Sequence, residues 1–307
     1  VQEVFNKYIN YLEAERNASP YTVRNYTTDL LDFFQFLTTK GVGSLKEVDR
    51  HVLRDYLSHL MEQGRVKAST ARKLSAIRSF YKYLLRERMV AANPIATTAS
   101  PKLDRRLPSF LTQEEIEQLL EAPDLSKPQG QRDRALIELL YASGLRVSEL
   151  VNLNLEQVDL HTREIRVRGK GSKERMVLMG KPAATALNAY LNQGRPSLLG
   201  EKRSNAIFLN RYGQRIIERR VQKIIQEYAE RAGIDKRVHP HMLRHTFATH
   251  LLDGSADLRV VQELLGHANL SSTQIYTHIT KSQARKVYLS AHPMAQNKDD
   301  DDNELQH

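Results

Sequence analysis

HPHMLRHTFATHLLDGSADLRVVQELLGHANLSSTQIY, residues 239–276, places four groups suited to gripping and attacking a phosphate within one short run. His241 and Arg244 stand three residues apart, a spacing that puts two side chains on one face of a helix, so both are expected to reach toward a single anion. Leu243, Phe247 and Leu251 recur every four residues on the other side, the pattern of a buried stripe. Gly254 is expected to end this helix. Asp257 then caps a second one over 257–265 that turns Val260, Val261, Leu264 and Leu265 inward, and Gly266 stops it. His267 follows at once, and Tyr276 comes nine residues later behind Ser271 and Ser272. Taken singly, each residue also has a structural explanation as part of a core or a surface network. His241 and His245 have the spacing of a zinc-binding helix. Yet no Glu follows His241, the chain contains no cysteine, and Arg244 would repel a cation, so a metal site is disfavoured.

Upstream, 136–143 is apolar at helical spacing and Gly144 breaks it, which places Arg146 at a helix junction. Glu149, one turn later, is suited to orienting an active-site cation or histidine rather than to reacting itself. The stretches 164–168 (EIRVR) and 175–179 (RMVLM) alternate like two strands of a hairpin, with Gly-Lys-Gly-Ser-Lys, residues 169–173, as the connecting loop. Lys170 would ride on its tip.

The first part of the chain reads as helices. Phe5, Tyr8, Ile9 and Leu12 form one apolar stripe. Ser19-Pro20 opens a second helix with Val23, Tyr26, Leu30, Phe33, Phe34 and Leu37 at spacings of three and four, which ends at Gly41 to Gly43. A third is expected over 49–63 and a fourth over 69–88. The fourth, with its approach, carries Arg65, Lys67, Arg72, Lys73, Arg78, Lys82, Arg86 and Arg88 against one acid, Glu87, and Leu74, Ile77, Tyr81 and Leu84 supply its core stripe. Solvated surface helices usually mix signs, so a helix that is cationic around one apolar side favours a DNA groove or backbone contact.

Asn93-Pro94 breaks the fourth helix, and three prolines between 94 and 108 mark an interdomain linker whose Lys102, Arg105 and Arg106 suit a phosphate backbone. Thr112 with Glu115 is a capping-box pattern that opens the second domain. The expected fold is mainly α in two domains: a helical DNA-binding domain over 1–93, a linker over 94–109, and a mixed α/β catalytic domain over 110–294 with a small antiparallel sheet. Residues 295–307 form an acidic tail that is expected to be disordered. The 307 residues carry 46 Lys and Arg against 36 Asp and Glu, a formal charge of +10 and a pI near 9.6, a balance that favours a polyanionic partner. No run approaches membrane-spanning length and no signal peptide is evident, so the expected location is the cytoplasm, without membrane partners.

The motifs GLRVSEL (144–150), GKGSKER (169–175), HxLRHTFATHLL (241–252) and LGHANLSSTQIYTH (265–278) resemble, in order and spacing, those of the tyrosine recombinases, the lambda-integrase-like DNA breaking and joining enzymes. Within that family the resemblance is to the Xer-type chromosome-dimer resolvases, and it extends over nearly the whole chain. It implies a catalytic set of Arg146, Lys170, His241, Arg244, His267 and Tyr276. Tyr276 would attack a phosphodiester, giving a 3′-phosphotyrosine and a free 5′-hydroxyl, and the partner strand's hydroxyl would rejoin the DNA. It also implies two domains clamped around duplex DNA, a homo- or hetero-tetramer on two sites, and a carboxy-terminal helix passed to the next protomer. A second recombinase and a septal DNA translocase are further expected partners. No cofactor, ATP or metal is expected.

Physical chemistry sets what the site must supply. A free tyrosine has roughly one part in a thousand ionised at pH 7, a gap of about 4 kcal/mol that nearby cations or a base must close. The leaving sugar oxygen is a stronger base still, so protonating it is worth a hundredfold or more in order of magnitude, with Lys170 the candidate acid. Phage or transposon integration, DNA relaxation of the type IB topoisomerase kind, and DNA binding without catalysis are the competing functions. The intact set of six speaks against the last.

Overall fold

The computed structural model describes every residue except 17, 65, 97–109, 169–173, 267–280 and 296–307, and the side chains of Arg168 and Lys281 also fall outside the description. The chain divides into two compact units, Val1–Arg106 and Leu107–His307.

The first unit contains α1 (Gln2–Ala14), α2 (Pro20–Thr39), α3 (Arg50–Glu62) and α4 (Lys67–Arg86). Local chemistry sets their starts. The Ser19 hydroxyl accepts from the Thr22 amide ahead of Pro20, and the Asp49 carboxylate accepts from the His51 and Val52 amides. Tyr8, Leu30, Phe33, Tyr56, Ile77 and Phe80 are among the side chains that close the core. α4 both begins and ends two residues earlier than its apolar stripe suggests. Ile95, placed by sequence in the linker, is fully buried in this core, and its amide is held by the Asn93 side chain at 3.1 Å. The chain is therefore still folded into the first unit one residue past Pro94. The rest of the expected linker from 97, and the acidic tail from 296, lie outside the described residues.

The second unit opens with α5 (Gln113–Glu121), whose Thr112–Glu115 capping box is present in both directions. α6 (Pro128–Ser143) follows and is buried nearly all round. It ends at Gly144, at φ 58°, where a β-carbon would fall 2.6 Å from the Phe247 ring. Glycine is needed there both for the left-handed turn and for the close approach. After α7 (Val147–Val151), β1 (Val158–Asp159), β2 (Glu164–Arg168) and β3 (Glu174–Leu178) form a three-stranded antiparallel sheet in that order, with Ile165 opposite Val177 and Val167 opposite Arg175. β3 lies one residue earlier than the alternation predicts. α8 (Lys181–Ala189) and α9 (Arg195–Leu199) pack on α6, α10 (Glu218–Arg231) packs on α11 (Pro240–Asp253), and α12 (Leu258–Leu265) and α13 (Lys281–Ala291) follow.

α13 folds back on its own chain. Tyr288 and Ala291 are buried with Phe247, Leu251 and Leu265, and the Tyr288 hydroxyl donates to the Ala142 carbonyl at 2.9 Å. The Ala291 backbone lies so near Gly254 that a β-carbon there would fall 2.2 Å from the Ala291 carbonyl oxygen. Just beyond the helix, His292 is fully buried between the Tyr141, Phe247 and Tyr288 rings, and burial pushes its pKa down to about 3.

Candidate active site

Arg244 anchors the site from α11. Pro240 occupies the first turn, and the His239 imidazole accepts from the Met242 amide at 3.2 Å, which fixes where the helix starts. His241 and Arg244, three residues apart on α11, differ in exposure. His241 is exposed, whereas Arg244 is only 8% exposed. α11 is packed against α6, α10, α12 and α13, so little of its circumference reaches solvent. The Arg244 guanidinium emerges from this packing by donating to two carbonyls, Gly144 at the end of α6 and, at 2.5 Å, Leu265 at the end of α12. These bonds satisfy a buried cation and lock it at the junction of three helices. Burial, followed by the proximity of Arg146, pushes its pKa down to about 10, which still leaves it charged at neutral pH.

Arg146 caps α7, as its place after Gly144 suggests. Its amide donates to Glu149 Oε2 at 2.9 Å and its Nη1 to Glu149 Oε1 at 3.0 Å. Glu149 is the orienting carboxylate that the sequence suggests, but it has a second and stronger partner. Arg175 clamps it through Nη1–Oε1 at 2.7 Å and Nη2–Oε2 at 3.0 Å. Burial raises the Glu149 pKa, but Arg175 foremost, then the Arg146 amide and charge, hold it below the ordinary carboxylate value. Arg175 escaped the sequence reading, which used it only as the first residue of a strand. The signal was present: 175, 177 and 179 share one strand face, and Val177 is buried, so Arg175 points inward with it. Three guanidinium groups thus gather around one carboxylate. A groove of about 450 Å³ nearby is lined by Glu149, Glu156 and Glu174 with Arg166, the wrong sign for a phosphate.

Lys170, His267 and Tyr276 lie outside the described residues. The elements leading to them are described: β2 and β3 flank the loop of Lys170, and α12, capped by Asp257 and closed at Gly266 with φ 65°, ends immediately before His267. His245, the other half of the metal alternative, is half-buried. No group of three His, Asp or Glu side chains able to hold a metal occurs among the described residues.

The basic helix in the first unit needs a sharper correction. Lys73 is buried, and its ammonium sits 2.8 Å from Asp32 and 3.7 Å from Asp29. Arg72 donates to Asp29 at 2.5 Å. The acids that face α4 come from α2, which a scan of α4 alone overlooks. Lys73 is therefore an internal ion-pair partner rather than a presented cation. Lys67 and Lys82 are exposed and Arg78 is half-buried. Arg65, Lys102, Arg105 and Arg106 lie outside the described residues.

The phage integrase family matches residues 109–283, and the phage integrase amino-terminal SAM-like domain matches 5–88. The chain is 47% identical to a tyrosine recombinase XerC of Pelotomaculum thermopropionicum, over 94% of this chain and 98% of that one. It is 42% identical to a tyrosine recombinase XerD of Staphylococcus epidermidis, over 95% and 99%. Among solved structures, the XerH site-specific recombinase bound to palindromic difH substrate, a post-cleavage complex, aligns over 89% of this chain and 77% of that one at 26% identity, with a TM-score of 0.67. The two-unit helical fold, the small sheet and the arginines gathered at Glu149 meet full-length relatives at this level of identity, and the chain accordingly belongs to the tyrosine recombinases as a site-specific DNA recombinase of the Xer type.

Proposed function

We propose that the recombinase resolves chromosome or plasmid dimers, with Arg146, Lys170, His241, Arg244 and His267 holding one phosphodiester and Tyr276 attacking it. The observation that carries this reading is the charge imbalance at Glu149. Arg146 and Arg175 pair with one carboxylate and Arg244 lies within its electrostatic reach, so among the described residues positive charge exceeds negative there, an excess that a phosphate would balance. Arg146 offers a planar fork to the nonbridging oxygens, and Arg244 offers the N–H groups that its bonds to Gly144 and Leu265 leave over, a geometry that an ammonium cannot match. The same cations favour the phenolate of Tyr276. Lys170 protonates the departing 5′ oxygen, and His241 and His267 add hydrogen bonds, one of them helping to take the tyrosine proton.

The proposed division of labour is a core-binding domain over 1–93, a linker over 94–109 whose Lys102, Arg105 and Arg106 cross the backbone, and a catalytic domain over 110–294. Arg65, Lys67, Arg78 and Lys82 contribute phosphate contacts from the first domain, while Arg72 is held by Asp29. The enzyme acts in the cytoplasm, as a tetramer on two sites, with a second recombinase of the same family and a septal DNA translocase as candidate partners. Among the described residues no helix is long and apolar enough to cross a membrane.

Tyr276→Phe is the decisive test, because the ring stays and only the nucleophilic oxygen goes. Wild type on a nicked site gives a denaturation-resistant protein–DNA band, and the variant binds the site but gives no band. A band that persists in the variant removes Tyr276 from the mechanism. Lys170→Ala is rescued by a substrate with sulfur at the leaving position, since a thiolate departs without a proton. An equal defect on both substrates shows that Lys170 is not the acid.

A further inference from the structure

Arg175 belongs to none of the six catalytic positions, yet among the described residues it makes both of its side-chain hydrogen bonds to Glu149. Arg146 is the more exposed partner of Glu149, with 36% of its side chain accessible against 17% for Arg175 and 7% for Glu149. One edge of the Arg146 fork, through Nη1, is held by Glu149 Oε1, and turning that edge onto a phosphate means loosening this bond. A carboxylate this buried cannot be left without a counter-charge, because breaking a buried pair by taking one partner away is strongly unfavourable. Arg175 removes that obstacle. It bridges both carboxylate oxygens with two nearly parallel bonds, so Glu149 remains neutralised whichever way the Arg146 side chain points.

We infer that Arg175 is a positioning residue for strand cleavage: by holding Glu149 it frees Arg146 to pass from the carboxylate to the scissile phosphate. Two further features favour this role over direct phosphate contact. Both terminal nitrogens of Arg175 are already committed to Glu149. Its Nε, which has no hydrogen-bond partner among the described residues, is buried against Gly266, where a β-carbon would fall 2.8 Å away. The inference rests on the reading that Arg146 holds the phosphate.

The test is a double-mutant cycle in single-turnover cleavage of a nicked site by the full chain. Arg175→Gln lowers cleavage about tenfold, the middle of the range for side chains that share one network, without loss of half-site binding. In a Glu149→Gln background, where no carboxylate competes for Arg146, the same change costs about twofold or less. Arg175→Lys recovers most of the rate, because an ammonium still neutralises Glu149. The Arg175→Gln defect also shrinks as pH falls from 7.5 to 5, since loss of this partner raises the Glu149 pKa and its protonation releases Arg146. Should Arg175→Gln melt below the assay temperature, Arg175→Lys carries the same cycle, and its smaller defect must likewise vanish when Glu149 is Gln. An equal loss in both backgrounds overturns the inference, as expected if Arg175 touches DNA or merely packs on Gly266, and so does no loss in either. If Arg146→Ala cleaves normally, the phosphate reading falls with it. If Arg146 is required but the cycle is additive, only the role of Arg175 falls.

Discussion

Two buried carboxylates, one in each unit, face clustered cations with opposite outcomes. Asp29 and its neighbour Asp32 meet Arg72 and Lys73, so two acids balance two bases and the cluster is closed. Among the described residues Glu149 is the one acid paired with Arg146 and Arg175, with Arg244 close enough to feel all three, so positive charge is left over there. Their acidities differ in the same sense. Burial outweighs Arg72 and Lys73 at Asp29 and raises its pKa, whereas at Glu149 the doubled Arg175 bonds and the Arg146 amide overcome burial and lower it. A closed cluster holds helices together. An open one is built to receive an anion, which is the property that preorganised catalytic electrostatics requires.

The largest expected effect is in the open cluster. Arg146→Lys and Arg244→Lys keep the charge but lose the fork, and each drops adduct formation on the order of a hundredfold to a thousandfold. Arg72→Lys in the closed cluster leaves adduct formation almost unchanged. Equal tolerance in all three would erase the distinction. Next is stability: Lys73→Ala strips a buried partner from Asp29 and Asp32 and costs about 3 kcal/mol in urea denaturation, while Lys82→Ala, on the exposed side of the same helix, costs almost nothing. A cost at Lys82 matching that at Lys73 would show that the buried pair is not what matters.

A smaller effect is expected in DNA affinity. Neutralising Lys67, Arg78 and Lys82 together weakens binding, and the slope of log affinity against log salt falls by about one for each phosphate that is no longer neutralised. An unchanged slope returns the helix to an ordinary solvated surface. The smallest effect is the response to acid. Glu149, with its lowered pKa, contributes stability that is present above about pH 4.5 and lost as pH falls through its folded value, so Glu149→Gln makes acid unfolding shallower. Asp29, with its raised pKa, gains stability as pH falls toward its unfolded value, so Asp29→Asn makes acid unfolding steeper. Urea titrations between pH 6 and pH 3 that shift in the same direction for both variants would contradict the assigned acidities.

Much of this was legible in the residues because local rules wrote it. Ser19-Pro20, Asp49, the Thr112–Glu115 box, Gly144, Asp257 and Gly266 each fix an element boundary through bonds to residues within one helical turn or through a backbone that only glycine tolerates. The placement of Arg146 at a junction follows from the same chemistry. What stayed illegible was set by partners distant in sequence. The burial of Lys73 depends on α2, forty-odd residues upstream, and the commitment of Arg244 to Gly144 and Leu265 depends on how three helices converge. Helical periodicity reports which face is apolar, but not which cation a distant acid will claim. Arg175 falls between the two cases. Its inward face was readable from the strand period, while its grip on Glu149, 26 residues away, was not.

The seat of α13 on its own chain has a thermodynamic consequence for assembly. A segment tethered beside its docking groove is present there at an effective concentration on the order of millimolar, whereas the equivalent groove of another protomer is offered only at the concentration of the protein. Any transfer of α13 to a neighbour, which the family resemblance implies, would therefore have to compete with the home groove, and the home groove wins unless two protomers are held side by side. Gly254 is where the seat itself can be weakened without altering the helix, because alanine there collides with the Ala291 backbone. Every copy of the variant carries the same collision, so Gly254→Ala should loosen α13 in either groove alike, seen as faster proteolysis within 281–291, and leave the preference for the home groove unchanged.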